Sequence, residues 1–131
     1  MKKIVILICF LLLLTGCGKK EERKDNVSSN SNESVTKIEK VTCDKMNELV
    51  NDGAILIDVR EIDEFNEGHL DKAINISYTI IKDKIGDYTK DLNQKIVVYC
   101  KSGVRSNKAA NYLLDLGYKN IYDLGSINNC N

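Results

Sequence analysis

The sequence has no proline, no tryptophan, a single histidine and no net charge. Its 19 basic residues are balanced by 19 acidic ones, so the chain has no basic excess that would attract nucleic-acid phosphates, and no nucleic-acid partner is predicted. The missing proline and tryptophan accompany an abundance of Asn, Lys, Ile and Asp, a general bias that excludes no fold. A length of 131 residues allows one small domain and little else.

The sequence also lacks an apolar run long enough to cross a membrane. Its longest run, residues 4–14, would span about 16 Å as a helix, whereas the hydrocarbon core is about 30 Å thick. This run follows Lys2 and Lys3, an arrangement typical of a secretory signal. The run ends in Leu14-Thr15-Gly16-Cys17, which resembles the bacterial lipobox. We therefore expect residues 1–16 to be a lipoprotein signal peptide and Cys17 to be the lipidated residue.

Residues 17–36 have the composition of a flexible linker. Acidic and basic residues balance there, and Val27 and Val35 are the only aliphatic side chains. A coil of this length has a root-mean-square span of roughly 25 Å. The expected location is the cell membrane, with the following residues 37–131 forming a domain that is lipid-anchored on the extracytoplasmic side.

The five cysteines do not form an obvious disulfide framework. Cys9 lies within the apolar run and Cys17 ends it, which leaves Cys43, Cys100 and Cys130 at wide spacings. The sequence leaves open whether Cys43 and Cys130 are separate thiols, pair with each other, or assist Cys100.

From residue 37 onward, predicted strands and helices alternate. Strands are predicted at 37–41, 54–57, 73–76, 95–99 and 120–124, and helices at 42–50, 61–67, around 80–85 after a Ser77 cap, and at 106–116. This alternation predicts a small α/β domain with a mainly parallel central sheet flanked by helices on both faces. Ligands of such sheets bind where strands end and helices begin, and Cys100 follows the fourth strand.

The segment after this strand has the composition of an anion-binding loop. The helix N-terminus that follows Cys100 favours its thiolate, the nucleophilic form of the side chain. Lys101 and Arg105 add positive charge, and Gly103 permits successive N–H groups to turn inward. The competing interpretation is that Cys100 is a small buried apolar residue at a strand end.

Three ordered segments resemble the rhodanese family of single-domain sulfurtransferases: residues 99–106, residues 56–76 with their Asp-Val-Arg and Gly-His-Leu motifs, and residues 116–125. The resemblance implies that Cys100 carries sulfur as a persulfide, taken from a small anionic donor such as thiosulfate and passed to a thiol or to cyanide. It implies no metal and no organic cofactor. The loop residues expected to bind the substrate are Lys101, Ser102, Gly103, Val104, Arg105 and Ser106.

The spacing of the loop helps to separate sulfur transfer from two related reactions. Four residues separate Cys100 from Arg105, whereas cysteine-dependent phosphatases place five between their cysteine and arginine. The smaller loop favours a sulfane sulfur over phosphate or arsenate. A phosphatase or arsenate reductase remains an alternative, as does a non-catalytic or redox module that binds a partner at the membrane.

Asp58 and Arg60 follow a buried strand, and the resemblance implies that they support the site rather than react. The lone histidine, His69, lies in a motif that the family uses structurally. The chain departs from the family at Asp71-Lys72, which replaces a Pro-Gly turn. It also departs in residues 126–131, which replace a Gly-rich, Trp-containing ending. We expect this short tail to leave the last strand poorly covered.

Overall fold

A computed structural model describes residues 36–131 as a five-stranded sheet with helices on both sides. The predicted signal peptide, Cys17 and nearly all of the predicted linker lie outside these residues. The strands are β1 (Lys37–Lys40), β2 (Ile55–Asp58), β3 (Ile74–Asn75), β4 (Lys95–Cys100) and β5 (Asn120–Ser126). The α-helices are α1 (Cys43–Asn51), α2 (Ile62–Glu67), α3 (Ile81–Lys84) and α4 (Val104–Asp115), with 3₁₀ helices at Ile85–Asp87 and Ile127–Cys130.

All strand pairs are parallel, in the order β1-β5-β4-β2-β3. β4 is the central strand in this order, and its residues from Ile96 to Cys100 are buried, as expected for a strand covered on both faces. Successive side chains of a strand alternate between the two faces. Ile96, Val98 and Cys100 therefore belong to one core layer, and Val97 and Tyr99 to the other.

Each face of the sheet has its own hydrophobic layer. Ala109, Ala110 and Leu113 of α4 pack with Ile81 of α3 on one face. On the other face, Met46 and Leu49 of α1 pack against the sheet. The predicted α/β class with a parallel sheet and helices on both faces is confirmed.

Three predicted boundaries were wrong in ways that affect the site. Helix α4 begins at Val104, two residues before the predicted start, because Gly103 turns the chain with φ +93°. β5 continues to Ser126, two residues beyond its predicted end. Ser77 does not cap α3, which begins at Ile81; its hydroxyl donates to the Glu61 carboxylate at 2.7 Å.

The C-terminal tail was expected to cover the last strand poorly, and this expectation was wrong. Residues Ile127–Cys130 form a 3₁₀ helix, and Ile127 packs against the core layer that contains α1. A disulfide joins Cys130 to Cys43, the first residue of α1. Asp71-Lys72 forms a turn, as predicted, with Lys72 at φ +63°. Within residues 36–131, no helix is long and apolar enough to span a membrane.

Candidate active site

Cys100 is the last residue of β4, and its side chain is fully buried on the α4 side of the sheet. Only Lys101, Ser102 and Gly103 separate it from helix α4. Gly103 is required at the turn because its φ of +93° is unfavourable for residues with a Cβ. The sulfur of Cys100 therefore lies at the N-terminal end of a twelve-residue helix, where unpaired N–H groups and the helix dipole favour negative charge.

Hydrogen-bond donors surround this sulfur. The Gly103 N–H donates to Sγ of Cys100 across 3.0 Å. Burial raises the pKa of the Cys100 thiol, but hydrogen bonds from the Ser106 backbone and hydroxyl, and from the Gly103 and Ser102 backbones, outweigh it. The pKa of Cys100 consequently lies below its ordinary value, and the thiolate population at neutral pH is increased.

The Ser106 hydroxyl has two acceptors within reach. It donates to the Gly103 carbonyl oxygen at 3.1 Å, and it also contributes to lowering the pKa of Cys100. A hydroxyl has one hydrogen, so it can serve only one acceptor at a time. Ionisation of Cys100 favours rotation of that hydrogen toward the sulfur, because bonds to charged acceptors are stronger.

Arg105, which was expected to bind the substrate, forms an ion pair with an acidic residue of α2. Its guanidinium donates two hydrogen bonds to the Glu64 carboxylate of α2, at 2.5 and 2.9 Å. Part of its positive charge is therefore neutralised. Glu64 was not predicted as a site residue, because it lies 41 residues from Arg105 and no local pattern in the sequence links the two.

The remaining loop residues lie at the surface. Lys101 and Ser102 are exposed, and the Val104 side chain is 60% exposed. The positive charge of Lys101 is thus available to solutes near the loop. The predicted substrate-binding roles of these three residues stay predictions.

Asp58 and Arg60 form a buried ion pair rather than a surface one. Arg60 donates to both carboxylate oxygens of Asp58, and it also donates to the Gly68 carbonyl oxygen at 2.6 Å. Asp58 is fully buried and Arg60 is 7% exposed. This pair holds the end of β2 against the end of α2, the helix that supplies Glu64 to Arg105.

His69 makes its contacts within the end of α2. Its ring stacks on Phe65 at 3.7 Å, and its Nδ1–H donates to the Phe65 carbonyl oxygen at 3.0 Å. These contacts fix His69 against the C-terminal end of α2, which agrees with the structural role that the family resemblance implies for its motif.

Comparison with known proteins decides the family. The model of the rhodanese-like domain family matches residues 42–129, which include the whole of the Cys100 loop. The chain belongs to the rhodanese-like domain family. Membership supports an activity of the sulfur-transfer type or a related one.

Three relatives illustrate the range of this rhodanese-like domain. The chain is 34% identical over 85 residues to a tRNA uridine(34) hydroxylase of Buchnera aphidicola, covering 62% of this chain and 27% of that protein. It is 35% identical over 69 residues to the thiosulfate sulfurtransferase GlpE of Shewanella oneidensis, covering 53% of this chain and 66% of that protein. The solved E. coli rhodanese with anions has a TM-score of 0.57 at 30% identity, covering 59% of this chain and 91% of that chain. The chain thus spans about a quarter of the hydroxylase that it matches.

Proposed function

We propose that this protein is a sulfurtransferase that carries a sulfane sulfur on Cys100. The observation that supports this most directly is the 3.0 Å hydrogen bond from the Gly103 N–H to the Cys100 sulfur at the N-terminus of α4. Such a site stabilises a thiolate before reaction and a persulfide anion after it, since both carry negative charge on sulfur.

The proposed reaction has two steps. The Cys100 thiolate attacks the outer sulfur of thiosulfate or a similar anionic donor; an S–S bond to Cys100 forms, and sulfite leaves with the electron pair of the broken S–S bond. Cyanide or a thiolate then attacks the outer sulfur of the persulfide. This second attack releases thiocyanate, or a persulfide of the acceptor, and regenerates the Cys100 thiolate.

The geometry of Arg105 argues against the phosphatase and arsenate reductase alternatives. A phosphate or arsenate group needs a guanidinium that can bind it through two hydrogen bonds. The Glu64 carboxylate already accepts one N–H from each terminal nitrogen of Arg105, and its negative charge would repel a phosphate or arsenate dianion bound to the remaining donors. A sulfane sulfur on Cys100 needs no guanidinium, because the backbone N–H groups of the loop can donate hydrogen bonds to it.

The buried position of Cys100 sets a requirement for the reaction. Its side chain has no exposed surface, so a donor reaches Sγ only when the loop or a neighbouring side chain moves. Exposed Lys101 would attract the anionic donor to the loop before that movement.

Intact-mass measurement after thiosulfate treatment without reductant tests the proposal. We expect a gain of one sulfur atom, about 32 Da, that maps to Cys100 and disappears on adding cyanide with release of thiocyanate. The Cys100→Ser variant should show neither event. Absence of the adduct in the wild-type chain would contradict the proposal and favour a non-catalytic binding or redox module. Release of phosphate from an aryl phosphate would instead favour a phosphatase.

We further propose that the protein is anchored to the membrane through lipidated Cys17 and faces the extracytoplasmic side. The Cys43–Cys130 disulfide supports this location, because disulfides persist mainly in oxidising compartments. Metabolic labelling with a palmitate analogue should mark the wild-type protein but not the Cys17→Ser variant. Equal labelling of both, or recovery of the unlabelled wild type in the cytoplasm, would overturn the proposal.

A further inference from the structure

The hydroxyl of Ser126 connects the C-terminal tail to the Cys100 loop. It donates to the carbonyl oxygen of Lys101 at 2.5 Å and accepts from the Asn128 N–H at 3.1 Å. In the sheet, Ser126 is also the partner of Cys100 in the register between β5 and β4. One side chain therefore joins the tail to the peptide unit between Lys101 and Ser102, the second peptide unit after the sulfur-carrying residue.

The orientation of that peptide unit matters for the sulfur. The Lys101 carbonyl and the Ser102 N–H belong to the same peptide, and no peptide bond among the described residues is cis. In a trans peptide these two groups point in opposite directions. A donor that holds the Lys101 oxygen therefore also fixes the direction of the Ser102 N–H, which hydrogen-bonds to the Cys100 sulfur.

We propose that Ser126 is a positioning residue, whose hydroxyl fixes the peptide between Lys101 and Ser102 so that the Ser102 N–H stabilises the Cys100 sulfur. The role of Ser102 in lowering the pKa of Cys100 agrees with this geometry. Without the hydroxyl, the peptide can rotate, and its carbonyl oxygen can turn toward the sulfur and repel a thiolate or persulfide.

The tail around Ser126 is itself held in place. The side-chain amide of Asn129 donates to the Leu124 carbonyl oxygen at 2.7 Å, and Cys130 is tied to α1 through its disulfide with Cys43. The backbone of Gly125 packs against the loop at Gly103: a Cβ added to Gly103 would lie 3.6 Å from the Gly125 Cα. Ser126 caps the start of the four-residue 3₁₀ helix, and the disulfide fixes the last residue of that helix. The disulfide thus helps to keep Ser126 against the loop.

This inference deepens the proposed function, but its test does not depend on sulfur transfer. Ser126→Thr keeps the hydroxyl, whereas Ser126→Val has nearly the same shape and lacks it. The full chain, labelled with ¹³C at the cysteine Cβ atoms, is titrated by NMR, and the Cys100→Ser variant assigns the signal. Asn111→Ala, a truncation on the exposed surface of α4, is the control.

We expect the thiolate population of Cys100 at pH 7 to fall about three- to tenfold in Ser126→Val, and to stay near the wild-type level in Ser126→Thr and Asn111→Ala. All four proteins should converge at alkaline pH, where every thiol is ionised, and an unchanged urea unfolding transition of Ser126→Val should show that the variant is folded. The same titration for Ser126→Val and Ser126→Thr would overturn the inference, and would leave Ser126 as a cap of the 3₁₀ helix alone. If the wild type forms no persulfide, the proposed function fails while the titration still decides the role of Ser126.

Discussion

Arg105 at the start of α4 is held by Glu64 of α2 through two hydrogen bonds, at 2.5 and 2.9 Å. The charge of Arg105 also interacts with Cys100, so this ion pair lies within electrostatic range of the sulfur. Glu64 therefore has two effects: it fixes the position of the guanidinium, and it offsets the positive potential that an anionic donor meets.

The first prediction separates these two effects of Glu64. In Glu64→Gln, the amide oxygen can still accept from Arg105, but the negative charge is gone. We expect the KM for thiosulfate to fall about three- to tenfold at low ionic strength, with a smaller effect at high salt, because screening weakens the interaction of partly exposed charges. Steady-state thiocyanate formation at two salt concentrations measures this change.

Glu67→Gln provides the matched control for this experiment. Glu67 is exposed at the end of the same helix, so the variant removes the same charge from elsewhere on the surface. Equal KM values for the two variants would show that net charge, rather than the ion pair with Arg105, controls donor binding.

A second prediction concerns the pH dependence of stability. The hydrogen bonds from Arg105 lower the pKa of Glu64 from its ordinary 4.5 to about 2. A carboxyl group whose pKa is lowered by folding stabilises the protein above its unfolded-state pKa, and this stabilisation is lost as the pH falls through the folded-state value. The contribution of Glu64 should be complete above about pH 4.5 and should disappear on approach to pH 2.

Urea unfolding of the wild type and Glu64→Gln between pH 6 and pH 2 measures this contribution. The difference between their free energies of unfolding should be constant near pH 6 and should shrink toward zero at the acid end. A difference that does not vary with pH would mean that folding does not lower the pKa of Glu64, and hence that the ion pair does not form in solution.

The buried pair of Asp58 and Arg60 leads to a third prediction, on stability rather than chemistry. Asp58→Asn leaves Arg60 as an uncompensated buried charge, which costs about 3–5 kcal/mol when one partner of a buried ion pair is removed. The double variant Asp58→Asn/Arg60→Met removes that charge and should recover part of the loss. Urea unfolding gives the free energies, and a double-mutant cycle isolates the coupling.

This third prediction also has a functional side. The Arg60 guanidinium binds Asp58 and the Gly68 carbonyl and lies 6.0 Å from the Tyr99 ring centre. The rate of sulfur transfer per folded molecule should therefore change little in Asp58→Asn. A large loss of kcat without a loss of stability would instead assign the Asp58–Arg60 pair a direct role in the reaction.

Local patterns in the sequence predicted the fold and the position of Cys100. An apolar strand, a glycine and a helix follow one another around this residue, and each leaves its own signal over a few residues. Contacts between distant residues leave no such signal. Arg105 and Glu64 are 41 residues apart, Ser126 and Lys101 are 25 apart, and Cys43 and Cys130 are 87 apart. The extension of β5 to Ser126 was missed because Gly125 and Ser126 continue the strand without an apolar side chain to indicate it.

The fourth prediction concerns the disulfide between Cys43 and Cys130. It closes a loop of 87 residues that contains nearly the whole domain, so it restricts the unfolded chain strongly. The Cys43→Ala/Cys130→Ala variant should lose about 3–5 kcal/mol of the free energy of unfolding. Wild-type protein in excess reductant should show the same loss, since the same covalent link is absent. Equal stability of the oxidised and reduced wild type would contradict the prediction, and would mean that packing of Ile127 and the hydrogen bonds of Asn129 hold the tail without the disulfide.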